Sequence, residues 1–166
     1  GNGVEVISGT AVLEGSGRVR VGEELHEARN ILLAVGSRPA LPPIPGLDTP
    51  GVVTSDGLLS DLRPLDRLAI IGGGVIGVEL ACVWAAAGAR VTILEAAPRL
   101  LPTLERELGQ SLAAQLRQDG VEVFTGADVT GATPGPAVAF THRGEARRLE
   151  ADAVLVATGR RPATGG

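Results

Sequence analysis

The chain has 166 residues, 44% of them apolar, which suffices for one core or for one core and part of another. Its net charge is −4, every basic residue is arginine and no basic block stands out, which excludes nucleic acid as an expected partner. No apolar run approaches the roughly 18 residues of a membrane span, and the single Cys82 excludes an internal disulfide or a two-thiol redox pair within the chain.

In chain order, Gly3-Val4-Glu5-Val6-Ile7 and Arg18-Val19-Arg20-Val21 alternate polar with apolar residues, the pattern of short antiparallel strands, and Gly15-Ser16-Gly17 is the turn between such strands. Ile31-Leu32-Leu33-Ala34-Val35 is a continuous apolar run, which predicts a strand buried on both faces. It stops at Gly36-Ser37-Arg38-Pro39. The five prolines of residues 39–50 then require an extended connector. Ser55 or Asp56 is placed to cap a short helix through Ser60, and residues 62–64 lead into the next strand.

Leu68-Ala69-Ile70-Ile71 is the strand around which the rest is organised. It runs into Gly72-Gly73-Gly74-Val75-Ile76-Gly77, and a helix is expected over residues 75–87, closed by Gly88. Arg90-Val91-Thr92-Ile93-Leu94 is the second strand, with Glu95 at its end. Pro98 and Pro102 bracket a loop. Leu104, Leu108, Leu112 and Leu116 mark one face of a second helix, with Glu105 and Glu107 at its positive end and Asp119-Gly120 as its stop. A third strand follows at residues 121–124. Weaker strands near 138–141 and 147–150 suggest a meander, and residues 153–157 form the last strand. The order β-α-β-α-β, meander, β predicts a Rossmann-type, doubly wound parallel α/β sheet.

Two blocks repeat. Residues 3–12 match residues 120–129, and Ala34-Val35-Gly36-Ser37-Arg38-Pro39 matches Ala157-Thr158-Gly159-Arg160-Arg161-Pro162. The first copy therefore reads as the back half of a second dinucleotide-binding domain whose strand, glycine loop and helix are absent. The expected division is residues 1–62 for this partial domain and 63–166 for the complete one. Residues 1–38 would then be built to pair with strands not present, so their edges should be exposed, disordered or covered by another chain. The lack of any methionine also places the natural start elsewhere.

The chemistry follows from the glycine spacing. Gly72, Gly74 and Gly77 stand as G-x-G-x-x-G between strand and helix, where glycines permit a tight turn, close approach of backbone N–H groups to a pyrophosphate, and close packing of helix on strand. The pyrophosphate would sit on the positive end of the helix. Glu95 stands 23 positions beyond Gly72 (95 − 72), where an acid accepts hydrogen bonds from the adenosine ribose and repels a 2′-phosphate, so NAD is expected over NADP. Arg99 is the residue that would hold a 2′-phosphate, but it follows an opposing acid. From periodicity, Glu79 is a solvated helix-face carboxylate and Cys82 a small core residue. His26 and His142 fall in meander turns at the surface, Trp84 is core or interface, and no metal-ligand spacing occurs.

Together these segments resemble the pyridine nucleotide–disulfide oxidoreductase family, and within it the dihydrolipoamide dehydrogenase branch. The resemblance rests on residues 71–81 (Ile-Gly-Gly-Gly-Val-Ile-Gly-Val-Glu-Leu-Ala), on Val91-Thr92-Ile93-Leu94-Glu95 and on Ala157-Thr158-Gly159-Arg160-Arg161-Pro162. It extends through the connector at Leu41-Pro42-Pro43-Ile44-Pro45-Gly46 and Thr54-Ser55-Asp56. The resemblance implies a flavoprotein with two Rossmann-type domains, for FAD and for NAD(H), in a cytoplasmic homodimer that passes electrons between a dithiol or disulfide, flavin and NAD. It implies that Gly72, Gly73, Gly74, Val75, Ile76, Gly77 and Glu79 bind the NAD pyrophosphate and ribose, and that Glu95 holds the adenosine ribose. Val129 would lie against adenine and Gly159 near the nicotinamide. Glu79 is thereby raised to a catalytic candidate at the nicotinamide–flavin contact. Gly36 and Ser37 match an FAD-contacting turn, although Val35 replaces the usual Thr. The FAD glycine loop, the paired redox cysteines and the C-terminal His–Glu pair of the family are not in this chain, so the chain alone should bind NADH without dithiol-dependent activity. Mercuric, glutathione-type and peroxide reductases and a soluble transhydrogenase are the other members considered. A non-catalytic nucleotide-binding module is the alternative from another class.

Overall fold

The computed structural model describes residues 2–61 and 63–164. The chain divides into two compact units, Gly1–Gly36 and Ser37–Gly166. This division falls earlier than the boundary expected after residue 62, a position that lies outside the described residues.

The first unit is a small antiparallel meander of β1 (Ala11–Leu13), β2 (Arg18–Val21) and β3 (Glu24–Glu27), in that order. Gly15 and Gly17, both at positive φ, make the first turn. Arg20 is paired to Glu14, and Arg18 to Glu27 across the ladder. Two expected strands are corrected. Residues 3–7 form no strand, because the partner of β2 is β1 instead. Residues 31–35 also form none, and Leu32 is 91% exposed. An apolar run of that kind is stable as a strand only between neighbouring strands. Val4 and Val6 are likewise 80% and 84% exposed.

The second unit is built on a five-stranded parallel sheet with the order β5-β12-β6-β7-β8. Its elements begin with β4 (Ser37–Pro39), β5 (Val52–Thr54) and α1 (Ser55–Ser60). The cap of α1 is Thr54, whose side chain accepts from the Gly57 N–H, in place of the expected Ser55 or Asp56. There follow β6 (Arg67–Ile71), α2 (Val75–Ala86), β7 (Arg90–Glu95), α3 (Arg106–Gln118) and β8 (Glu122–Thr125). The antiparallel meander is β9 (Ala127–Thr133), β10 (Ala137–His142) and β11 (Glu145–Glu150). Finally β12 (Ala153–Val156) returns to the centre of the sheet beside β6, and β13 (Arg160–Pro162) pairs antiparallel with β4. The connector strand β5 joins β12 at the sheet edge, which draws the proline-rich segment into this unit.

Alternation along β6 explains the layers. Leu68 and Ile70 face a core with Leu58, Leu80, Ala81, Trp84, Ala113 and Leu116 from the helices. Ala69 and Ile71 face a second core with Ala132, Val138 and Phe140 of the meander and Leu47 of the connector. The parallel sheet is thus covered by helices on one face and by the meander on the other. Trp84 is a core residue.

Three side-chain expectations are corrected here. Cys82 is exposed, because α2 buries the stripe Val78, Ala81 and Trp84 and turns position 82 away from it. The buried stripe of α3 is Gly109, Ala113 and Leu116, whereas Leu104 precedes the helix and Leu108 is exposed. The close seat of α3 needs Gly109, where a Cβ would lie 2.4 Å from the Leu100 carbonyl oxygen. His26 and His142 lie in strands and are half-buried, and the His142 ring stands edge-on to Phe124 at 5.2 Å.

A candidate dinucleotide-binding site

The carboxyl ends of β6, β7 and β12 open into a cavity of about 560 Å³, a size suited to a small ligand. The chain reverses its winding here, since β7 lies on one side of β6 and β12 on the other, and such switch points are where open α/β sheets bind ligands. The walls come from Gly72, Gly74, Val75 and Ile76 after β6, from Glu95 and Ala96 after β7, and from Thr158 and Gly159 after β12. Val129 of β9 and Ile44 of the connector close the apolar side.

The four glycines of the loop have different physical reasons. Gly72 has φ +111°, and a Cβ there would lie 2.5 Å from the Ala157 carbonyl oxygen, so both its backbone and its neighbour require glycine. Its N–H donates to the Leu94 carbonyl at 2.8 Å, closing the turn across β7. At Gly77 a Cβ would lie 2.1 Å from the Gly72 carbonyl oxygen, which is why helix and loop approach so closely. Gly73 lies against Glu95 and Leu100. Gly74 differs from these. Its φ is −75°, open to any residue, and a Cβ there would meet no atom within 4 Å. Among the described residues nothing accounts for the missing side chain, and Gly74 lies on the cavity wall. Gly74 is also the N-cap of α2, with no side-chain cap. The first N–H groups of the helix lack intrahelical acceptors, and they carry the positive end of its dipole.

Glu95 is half-buried on the rim, with both carboxylate oxygens engaged. Oε2 accepts from the Gly73 N–H at 2.5 Å and Oε1 from the Ala97 N–H at 2.6 Å. Each oxygen keeps a second acceptor direction. Arg99 is turned to the Pro102 carbonyl at 2.9 Å and is not part of the wall.

The structure brings Gly72, Gly74, Val75, Ile76, Glu95, Val129 and Gly159 to one cavity. Gly159 has φ +124° and open space around it. Glu79 lies on the exposed side of α2 and is not part of the wall. Gly36 has φ +75° and ends the first unit. Ser37 is tied to Arg160, whose Nε donates to Oγ at 2.6 Å and whose NH2 donates to the carbonyl at 2.7 Å. Sequence reasoning missed Pro42, Ile44, Asp128, Thr158 and Arg160 as wall residues. The signal for the last two was present in the repeated block that ends both halves.

At the opposite end of the sheet, Asp152 Oδ2 accepts from the N–H groups of Arg67 and Asp66 at 2.8 and 3.0 Å, and Oδ1 from the Arg67 side chain at 3.3 Å. The Arg67 backbone N–H foremost, with these other donors, holds its carboxyl below the usual aspartate range. Among the described residues no group of three or more His, Cys, Asp or Glu is placed to hold a metal, and no helix is long and apolar enough to cross a membrane.

A Rossmann-type sheet with a glycine loop, an open helix N-terminus and a rim carboxylate defines a dinucleotide-binding class of α/β domain. The family model described as pyridine nucleotide-disulphide oxidoreductase matches residues 1–166, and the chain belongs to that family. Dihydrolipoyl dehydrogenase of Trypanosoma brucei brucei is 38% identical over 151 residues, 87% of this chain and 32% of that protein. The dihydrolipoyl dehydrogenase of Acholeplasma laidlawii is 35% identical over 96% of this chain and 48% of its own length. The probable pyridine nucleotide-disulfide oxidoreductase RclA of Escherichia coli is 38% identical over 97% of this chain and 37% of its own length. Among solved structures, the HOCl-induced flavoprotein disulfide reductase RclA from Escherichia coli superposes with a TM-score of 0.76 at 37% identity, covering 97% of this chain and 37% of that one. The chain thus spans about a third to a half of the length of these relatives.

Proposed function

We propose that this chain is the NAD(H)-binding portion, with part of the FAD-binding portion, of a flavoprotein disulfide oxidoreductase of the dihydrolipoamide dehydrogenase kind. The observation that carries the dinucleotide role is Gly74, a glycine that neither backbone strain nor packing requires, open to the cavity at an uncapped helix N-terminus. In this reading the loop Gly72 to Gly77 seats the pyrophosphate on the N–H groups at the start of α2, since those of Gly72 and Gly73 are given to Leu94 and Glu95, and Gly74 leaves the space its oxygens need. Glu95 accepts from the adenosine ribose hydroxyls and disfavours a 2′-phosphate by charge. Val129 supports the adenine and Gly159 the nicotinamide end. Glu79 is assigned to the nicotinamide–flavin contact in the full-length protein, and its exposure on α2 leaves it free for a further domain.

Residues 1–62 are assigned to the FAD-binding portion, with Gly36 and Ser37 at a flavin-contacting turn. The exposed apolar residues of the first unit support that assignment, since they lack the strands they would face. When bound in the full-length protein, FAD supplies two-electron transfer between a dithiol, oxidised to a disulfide, and NAD. This chain's own residues bind and orient the pyridine nucleotide. A homodimeric assembly in the cytoplasm belongs to the same proposal.

A second reading has support of its own, because the likeness to the RclA oxidoreductase is as strong as that to the dihydrolipoyl dehydrogenases. The residues that would separate these members lie outside the nucleotide site. Calorimetric titration of the chain tests the shared part. NADH should bind, and more tightly than NADPH; tighter binding of NADPH would remove the role given to Glu95.

A further inference from the structure

Gly73 is the middle residue of the glycine loop and lies outside the G-x-G-x-x-G positions. Its φ is not in the left-handed region, so the backbone alone admits other residues. What excludes a side chain is its surroundings: a Cβ would lie 2.4 Å from Leu100 Cδ2, 3.0 Å from Glu95 Cβ and 3.1 Å from Glu95 Oε2. Leu100 is fully buried, so its methyl has little room to retreat. The backbone of Gly73 is engaged on both sides. Its N–H donates to Glu95 Oε2, and its carbonyl accepts from the Leu101 N–H at 2.9 Å. Leu101 has φ +48°, a left-handed conformation that is strained for a leucine and persists only where neighbours enforce it. The other Glu95 oxygen accepts from Ala97, at the start of the same loop.

We infer that Gly73 is a positioning residue for nucleotide specificity: by leaving no side chain it seats the Glu95 carboxylate against the glycine loop and latches residues 96–101 beside it. This inference rests on the dinucleotide role proposed above and deepens it. The seat fixes the carboxylate in one position before any ligand arrives, so little rotamer ordering remains at binding. An alanine at 73 pushes Leu100 and Glu95 outward, detaches Oε2 from the loop and moves the charge off the rim. Discrimination between NADH and NADPH then weakens although Glu95 itself is unchanged.

Two measurements on the full chain test this. In the absence of nucleotide, amide hydrogen exchange is compared between the native chain and Glu95→Asp, which keeps the charge and shortens the reach by one methylene. Faster exchange at Gly73 and Ala97 is expected, and unchanged exchange would overturn the latch. NADH and NADPH are then titrated into the native chain, Gly73→Ala and Glu95→Asp. NADH affinity should fall about tenfold in both variants, as for the loss of one charge-assisted hydrogen bond, with NADPH affinity changing less than about threefold. Equal weakening of both nucleotides in Gly73→Ala, or no weakening of either, would overturn the specificity role. If Gly73→Ala does not fold, the exchange result and the nucleotide ratio of Glu95→Asp decide the matter in the same way. Failure of the native chain to bind either nucleotide would overturn the dinucleotide role and the specificity role with it, while the exchange result still reports the latch separately.

Discussion

At the scale of single residues, the glycine loop separates positions where packing excludes a side chain from one where it does not. Gly77 faces a backbone oxygen that cannot retreat without moving the loop. Gly77→Ala should therefore lower unfolding free energy by about 1–3 kcal/mol, the range for overpacking, as read from denaturant melts. Gly74→Ala meets empty space at an ordinary φ, so its stability should stay within about 0.5 kcal/mol of the native chain. Its NADH affinity should nevertheless drop, because Gly74 lies on the wall of the cavity assigned to the pyrophosphate. A stability loss at Gly74 matching that at Gly77 would show that both glycines serve packing. The spacing of Gly72, Gly74 and Gly77 and the acid at Glu95 were legible in the sequence, because each requirement is local to one turn or one strand end. The seat of Glu95 on Gly73 was not, since the contact joins loops after two different strands. The exposure of Cys82 was also missed. The helix Val75–Ala86 is apolar on nearly every side, so its pattern names no buried face.

At the scale of elements, parallel strands were legible where an apolar run is flanked by a glycine turn or a helix, as at Arg67–Ile71, Arg90–Glu95 and Ala153–Val156. The strand β9 escaped because Asp128, Thr130, Gly131 and Thr133 dilute its apolar content. The pairing of β4 with β13 escaped because three-residue strands holding a proline carry no periodicity, yet it joins the ends of the two repeated blocks. The start of β12 is held to the start of β6 by Asp152, which accepts from the backbone N–H groups of Arg67 and of Asp66 just before that strand. A carboxyl held below its ordinary value adds stability that is present above the unfolded-state pKa and is lost as pH falls through the folded one. Asp152→Asn should thus lower the melting temperature at pH 7, and the difference should shrink below about pH 4, the ordinary aspartate value. A difference that persists unchanged at pH 3 would contradict the role of the charge.

At the scale of the whole molecule, the two units differ in how far their sequence is satisfied by their own contacts. The second unit buries both faces of its sheet. The first leaves Val4, Val6, Leu32 and Val35 largely exposed and keeps only a three-stranded meander. Such a sheet is near the lower limit of independent stability. Limited proteolysis should accordingly cut within residues 2–36 before it cuts within the second unit, and the reverse order of cleavage would contradict the weaker self-sufficiency of the first unit. The exposure of these residues was foreseeable from the repeat, which holds two return segments and a single glycine loop. The local structure of residues 31–35 was not, because a strand reading assumes flanking strands, and among the described residues none pairs with this segment. The central claim, that the cavity at the ends of β6, β7 and β12 binds a pyridine dinucleotide, is tested most directly by nuclear magnetic resonance titration of the isotope-labelled chain with NADH. Amide shifts should change at Gly72 to Gly77, at Glu95 to Ala97, at Val129 and at Gly159, and saturate together. Shifts clustered elsewhere, or none at millimolar NADH, would contradict it.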